Sequence, residues 1–229
     1  TSPSSIEDIF DDAEECINEI FGVEHDPGAY VSESVPASQL LRPKAMAKRS
    51  AEEEVVEVVY KLDKDASSLG WKGQKNPEYF HEGTVMFSEG ELTMTGDDIS
   101  NGNITVDMST IVNTDIEDEG KKGYLEAHLK GLPEGKEEHF FNIQKFATAE
   151  VKINGYEKGK LDITLIALGK EVNDKIDVAV NKDDKSITLT GKFSLDLAKL
   201  DMPGMMPDPE TGEKIQYVVE FDLNLTLKK

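Results

Sequence analysis

Residues 217–229 read YVVEFDLNLTLKK. Tyr217, Val219, Phe221, Leu223, Leu225 and Leu227 alternate with Val218, Glu220, Asp222, Asn224, Thr226 and Lys228. Successive side chains of an extended strand point to opposite faces, so this period of two predicts a strand with one apolar face buried and the other in water. Its length suits a barrel stave.

The same alternation recurs upstream. It puts Ile104, Val106 and Met108 on one face of NITVDMS, Leu161, Ile163 and Leu165 on one face of KLDITLIAL, and Ile176, Val178 and Val180 on one face of KIDVAVN; Leu189, Phe193 and Leu195 belong to a further strand. Turn-type residues punctuate these runs at Ser88-Glu89-Gly90, Asn101-Gly102-Asn103, Asn154-Gly155 and Lys182-Asp183-Asp184. Short strands at regular spacing between turn signals predict an all-β, antiparallel barrel or sandwich. No internal repeat of fixed period is visible.

Before Val55 the period is different. Ile6, Ile9, Phe10, Ala13, Ile17, Ile20 and Phe21 recur at helical spacing, with Cys16 on the same stripe. Ser4 and Glu7 form a capping-box pattern and Gly22 suits the stop. The opposite face is acidic throughout. Acids in the first turn suit the helix dipole and those at the far end do not, so such a helix needs its apolar stripe buried on the domain or on a partner. Residues 24–50 read as a Pro- and Ser-containing linker with a small basic cluster, Arg42, Lys44, Lys48 and Arg49. A second short helix near residues 45–54 fits the pattern. The expected organisation is therefore residues 1–54 as an acidic amphipathic helix plus linker, and residues 55–229 as the β-domain.

Composition excludes several classes. The formal net charge is −21 over 229 residues, and Arg42 and Arg49 are the sole arginines. Nucleic-acid binding needs lysines and arginines to neutralise phosphates, so it is not expected, and neither is docking on an anionic membrane. A single cysteine rules out an internal disulfide or a Cys-based zinc site. No run of about 18 apolar residues spans a membrane. The chain starts at Thr1, for which a removed export signal is one explanation. His25, His81, His128 and His139 show no H-x-x-x-H or HExxH spacing, so no metal is expected and a hydrogen-bonded structural role is preferred for His128. Glu137-Glu138 and Asp97-Asp98 read as solvated loop acids. No nucleophile elbow, P-loop or dinucleotide fingerprint is present, so neither catalysis nor a cofactor is expected.

Five segments, in order, carry a family resemblance: LDKDASSLGW (62–71), HEGTV (81–85), ITVDMSTI (104–111), LEAHLK (125–130) leading into FFNIQKFAT (140–148), and LTG (189–191) running into Phe193 near the end. Together they resemble the YceI-like family of lipocalin-like β-barrels that bind polyisoprenoids and other amphiphiles, over about three quarters of the chain. The resemblance implies a lipocalin-like antiparallel barrel of about eight strands, preceded here by the helical extension. It singles out His128, Leu129, Phe140, Phe141 and Phe146 as family-motif positions. Phe140, Phe141 and Phe146 would anchor a connection onto the barrel, and aromatics at such a junction usually pack. Where the family often carries a base before the His-Leu pair, this chain has Glu126 and Ala127. That favours a neutral or apolar ligand over a diphosphate.

The expected function is non-enzymatic binding, transport or sequestration of a polyisoprenoid or quinone-like lipid inside the barrel. Trp71, Phe87, Ile104, Val106, Met108, Val151, Ile163, Phe221 and Leu223 are the expected lining. The methionines of LDMPGMMPDPETGEK (200–214) would either adapt to an apolar ligand or cap the core. The resemblance also implies an extracytoplasmic setting, whether periplasmic, secreted or lipid-anchored, and leaves a homodimer open. The alternative is an interaction module: a filled barrel as scaffold, with the acidic helix recruiting a partner.

Overall fold

The computed structural model describes residues 56–207 and 212–229. The expected N-terminal helix, the linker and the short helix before Val55 lie outside these residues. The described residues belong to one compact unit.

Ten antiparallel strands and one α-helix make up the described residues. The strands are β1 (Glu57–Leu62), β2 (Ser68–Asn76), β3 (Tyr79–Thr95), β4 (Asp98–Asn113), β5 (Thr148–Glu157), β6 (Lys160–Ala167), β7 (Lys170–Asp177), β8 (Ala179–Lys182), β9 (Ser186–Asp196) and β10 (Val218–Lys228). Helix α1 (Glu119–Leu129) sits between β4 and β5. The hydrogen-bonded order is β7-β6-β5-β4-β3-β1-β10-β9-β8, with β2 also bridging β3 and β10. Its two ends, β7 and β8, are separated in the chain only by Val178, so one run of backbone pairs with β6 on one side and β9 on the other and closes the sheet into a barrel.

The expectation of about eight strands is corrected to ten, because two staves are each broken in two. The first break is a one-turn 3₁₀ segment, Lys64–Ala66, between β1 and β2, which share both neighbours. There the Ser67 hydroxyl donates to the Asp63 carbonyl (2.7 Å) and accepts from the Thr226 N–H (2.9 Å), replacing the ladder bonds that the turn interrupts. The second break is at Val178, inside the expected run KIDVAVN.

Three of the expected turns are also corrected. Lys182-Asp183-Asp184 lies at the β8–β9 turn, but Ser88-Glu89-Gly90 lies within β3, Asn101-Gly102-Asn103 within β4 and Asn154-Gly155 within β5. Register shifts mark two of these sites, between Phe87 and Glu89 and between Ile153 and Gly155. Here glycine serves close approach rather than chain reversal. A Cβ on Gly90 would come within 2.6 Å of Ile104 Cδ1, and one on Gly102 within 2.8 Å of the Glu91 carbonyl oxygen. Bulges and strand glycines of this kind bend long strands around a barrel.

The antiparallel winding sorts the connections by end. Tight turns at Gly96-Asp97, Lys158-Gly159 and residues 183–185 close one end; the β2–β3 hairpin, the β6–β7 turn and the two long connections, 114–147 and 197–217, gather at the other. At the first end Tyr60, Leu92, Ile187, Leu189 and Leu227 are all 0% exposed. Burying aliphatic side chains this completely contributes roughly 1.5–3 kcal/mol each. Burial is therefore most complete at the end that carries no long connection.

Candidate ligand-binding cavity

Above this packed floor the barrel holds a cavity of 780 Å³. Its walls run from the buried Leu225, Ile153 and Ile176 to the exposed Tyr79, Tyr124 and Met206, so it reaches from the core to the surface at the end carrying the long connections. Alternation explains the walls. The inward residues of β4, β5, β6 and β10 are mainly Ile, Val, Leu, Met, Ala or Phe, while their outward neighbours are mostly polar, with Ile166 and Val218 as apolar exceptions.

Trp71, Phe87, Ile104, Val106, Met108, Val151, Ile163, Phe221 and Leu223 all border this cavity. Trp71, Val151 and Phe221 are half-buried, and the other six are buried. The Trp71 indole N–H donates to the Thr84 carbonyl oxygen (3.3 Å) and its ring lies against Gly83, where a Cβ would sit 2.7 Å from Cζ2. Phe221 stacks on Phe193, with ring centroids 5.7 Å apart.

Of the family-motif positions, His128, Leu129, Phe140 and Phe141 also line the cavity. Phe140 is buried and Phe141 half-buried. Phe146 is the exception. It stands outside both cavity and core, against Gly169 at the β6–β7 turn, with the Lys145 ammonium 5.1 Å from its ring centre. It braces one connection on another rather than packing inward.

The mouth is built from the connections. Helix α1 starts at Glu119: Asp118 caps it, accepting from the Lys121 N–H (2.8 Å). Its Glu126 carboxylate accepts the Asn113 N–H at the end of β4 (2.9 Å), so this acid holds the helix to the barrel rim. Opposite, the methionine segment crosses the mouth. Met202 and Met205 are buried and line the cavity, while Met206 is exposed, so the segment both caps the core and forms the wall. The Gly204 N–H donates to the His139 carbonyl oxygen (2.8 Å), lacing the two long connections together, and the Lys170 ammonium at the start of β7 donates to the Leu200 carbonyl oxygen and pairs with Asp201 (both 2.9 Å), tying the methionine segment to the barrel.

Three histidines stand at this mouth. His81 Nδ1 meets the Asp115 carboxylate at 2.9 Å, with Asn113 and the Glu82 N–H on the same carboxylate. Burial raises the Asp115 pKa, but these three hydrogen bonds outweigh it and hold the carboxyl below its usual range. His128 Nε2 lies 3.1 Å from His139 Nδ1, and the Phe140 ring meets His128 edge-on. Burial, reinforced by His139 and Lys136, pushes the His128 pKa below that of an ordinary imidazole. The hydrogen bond expected for His128 therefore exists, but it joins His128 to a second cavity-lining histidine.

The YceI-like domain family matches residues 60–227. The chain belongs to the YceI-like family. Its fold is shared with two solved structures. A polyisoprenoid binding domain from Saccharophagus degradans, implicated in plant cell wall breakdown, is 15% identical, covers 74% of this chain and 97% of its own, and superposes with a TM-score of 0.53. BcnA of Burkholderia cenocepacia is 15% identical, covers 72% and 98%, and gives a TM-score of 0.54. No curated protein matches the chain in sequence. At such identity the YceI-like assignment speaks for the barrel itself.

The rest of the mouth escaped sequence reasoning. Phe193 was legible, because it shares a face with Leu189 and Leu195. Tyr124, His139 and Ile215 line this YceI-like cavity from connections with no periodicity, and nothing local in the sequence brings them there.

Proposed function

We propose that this YceI-like protein binds one amphiphilic apolar ligand, of the polyisoprenoid or quinone-like lipid class, in the barrel, and acts by carrying or sequestering it rather than by chemistry. The carrying observation is the 780 Å³ apolar cavity open at one end. Its size falls within the roughly 300–1,000 Å³ usual for small-molecule sites. Affinity would come from burial, at about 0.8 kcal/mol per CH₂, so a long chain needs no charged clamp. The solved polyisoprenoid binding domain of the same fold supports this ligand class.

Denaturing extraction of the purified protein into organic solvent, followed by mass spectrometry, tests the reading. A stoichiometric lipid or quinone is expected. The complementary trial is native mass spectrometry of delipidated protein with polyprenols and quinones, and no adduct with any of them would reject the proposal. An extracytoplasmic location belongs to the same proposal and is checked by cell fractionation.

A further inference from the structure

The cavity wall is apolar except at its mouth, where two imidazoles touch. We infer that the His128–His139 pair is a headgroup site, which receives an uncharged oxygen, hydroxyl or carbonyl, at the polar end of the bound chain. This rests on the cavity being the ligand site.

The argument begins with hydrogen-bond accounting. A neutral imidazole has one N–H donor and one acceptor nitrogen. His128 Nε2 and His139 Nδ1 are 3.1 Å apart, so one of them donates to the other. Whichever does, the two remaining nitrogens, His128 Nδ1 and His139 Nε2, are one donor and one acceptor. The pair thus offers both halves of what a hydroxyl needs and the half a carbonyl needs, whichever tautomer is present. Both rings line the cavity, and the Tyr124 and Phe140 rings bracket His128 at centroid distances of 6.0 and 5.1 Å.

An anionic head fits less well. The cations nearest the mouth already have partners: Lys75 pairs with Glu213 (3.0 Å), Lys136 reaches the Tyr124 hydroxyl (3.2 Å), and Lys214 lies over the Tyr217 ring. No arginine occurs after Arg49. Bidentate clamping of a phosphate, for which Arg is the best-suited side chain, is therefore missing. Burial opposes a positive charge on His128, and the neighbouring His139 and Lys136 oppose it too.

The test uses four probes with one C15 chain: farnesene, farnesol, farnesoic acid and farnesyl phosphate. Each is titrated against the full chain and followed by quenching of Trp71, the sole tryptophan, which lines the cavity. The native protein should bind farnesol more tightly than either charged probe. In His128→Phe/His139→Phe farnesol should weaken about five- to tenfold, the loss of one ordinary hydrogen bond, while farnesene is held as well as before. Retained farnesene binding shows that the variant is folded and its cavity intact. Tighter native binding of farnesyl phosphate or farnesoic acid than of farnesol overturns the headgroup assignment without any variant. A farnesol loss no larger than the farnesene loss overturns it as well, while leaving the cavity proposal standing. If no farnesyl compound binds the native protein, both readings fall together.

Discussion

The two ends of the barrel are built from the same staves with the same alternation, yet they differ in kind. Toward one end of β9 and β10, Ile187, Leu189 and Leu227 have no exposed surface; toward the other, Phe193 and Phe221 stay half-exposed around a void. Residue type does not separate them, since both sets are large and apolar. The two long connections do, since both lie at the rim. Tight turns bring the staves together at the floor, while the long connections at the rim hold α1 and the methionine segment across an opening that side chains do not fill. The packed end supplies stability and frees the rim to leave volume empty.

The largest expected effect sharpens this contrast. Leu227→Ala or Leu189→Ala should cost about 2–5 kcal/mol, because the floor cannot collapse into the space vacated. Phe193→Ala should cost less than the roughly 3–5 kcal/mol of a fully packed phenylalanine, since its ring already borders a void. Urea unfolding of the three variants checks this, and equal losses at the two ends would break the comparison.

Next comes Gly83→Ala. The new Cβ would lie 1.9 Å from the Val112 carbonyl oxygen and 2.7 Å from the Trp71 ring. A backbone oxygen yields little, so a loss of about 1–3 kcal/mol is expected, with a displaced Trp71 emission maximum. An unchanged spectrum would show that the indole does not sit on this glycine.

A third pair separates function from stability. Ala149→Phe projects into the cavity and should weaken ligand binding at least about tenfold while changing stability by less than about 1.5 kcal/mol. Ile187→Phe overpacks the floor, and should cost about 1–3 kcal/mol with binding affinity unchanged in the folded fraction. Calorimetric binding beside thermal unfolding reads both.

The smallest effect is in pH. Because folding lowers the His128 pKa, the unfolded chain takes up its proton first as pH falls. The stability tied to the neutral ring is complete above about pH 6.5, and is lost as pH drops from there through the depressed folded value. Asp115 acts lower: its stabilisation is present above about pH 3.9 and lost as pH falls through its folded value. Unfolding curves between pH 8 and 5 should show the first loss in the native protein and not in His128→Phe.

Those variants also trace what the sequence made legible. The inward faces of β4, β6 and β10 could be read from the period of two alone, which is how Val106, Ile163 and Leu223 were placed inside. Glycine misled, because Gly90, Gly102 and Gly155 look like turn residues and instead let strands approach or bulge. One residue type answers two needs, and only the partner strand tells them apart. The mouth was harder still. His128 and His139 are 11 positions apart and meet because Asp118 and Glu126 fix where α1 starts and sits.

The Ser67 tie to Thr226 has a consequence for how the molecule is made. The two residues are 159 positions apart, and the stave they join, β1 with β2 against β10, is the seam between the first and last described strands. The other pairings join staves adjacent in sequence, counting β1 with β2 and β7 with β8 as one each, so they can zip before the chain is complete, whereas the seam must bear the full cost of closing the longest loop. Until β10 leaves the ribosome, the inner faces of the other staves have no closed interior to share. Folding should therefore be slow and late, with a half-rolled, apolar sheet as the species most prone to aggregate.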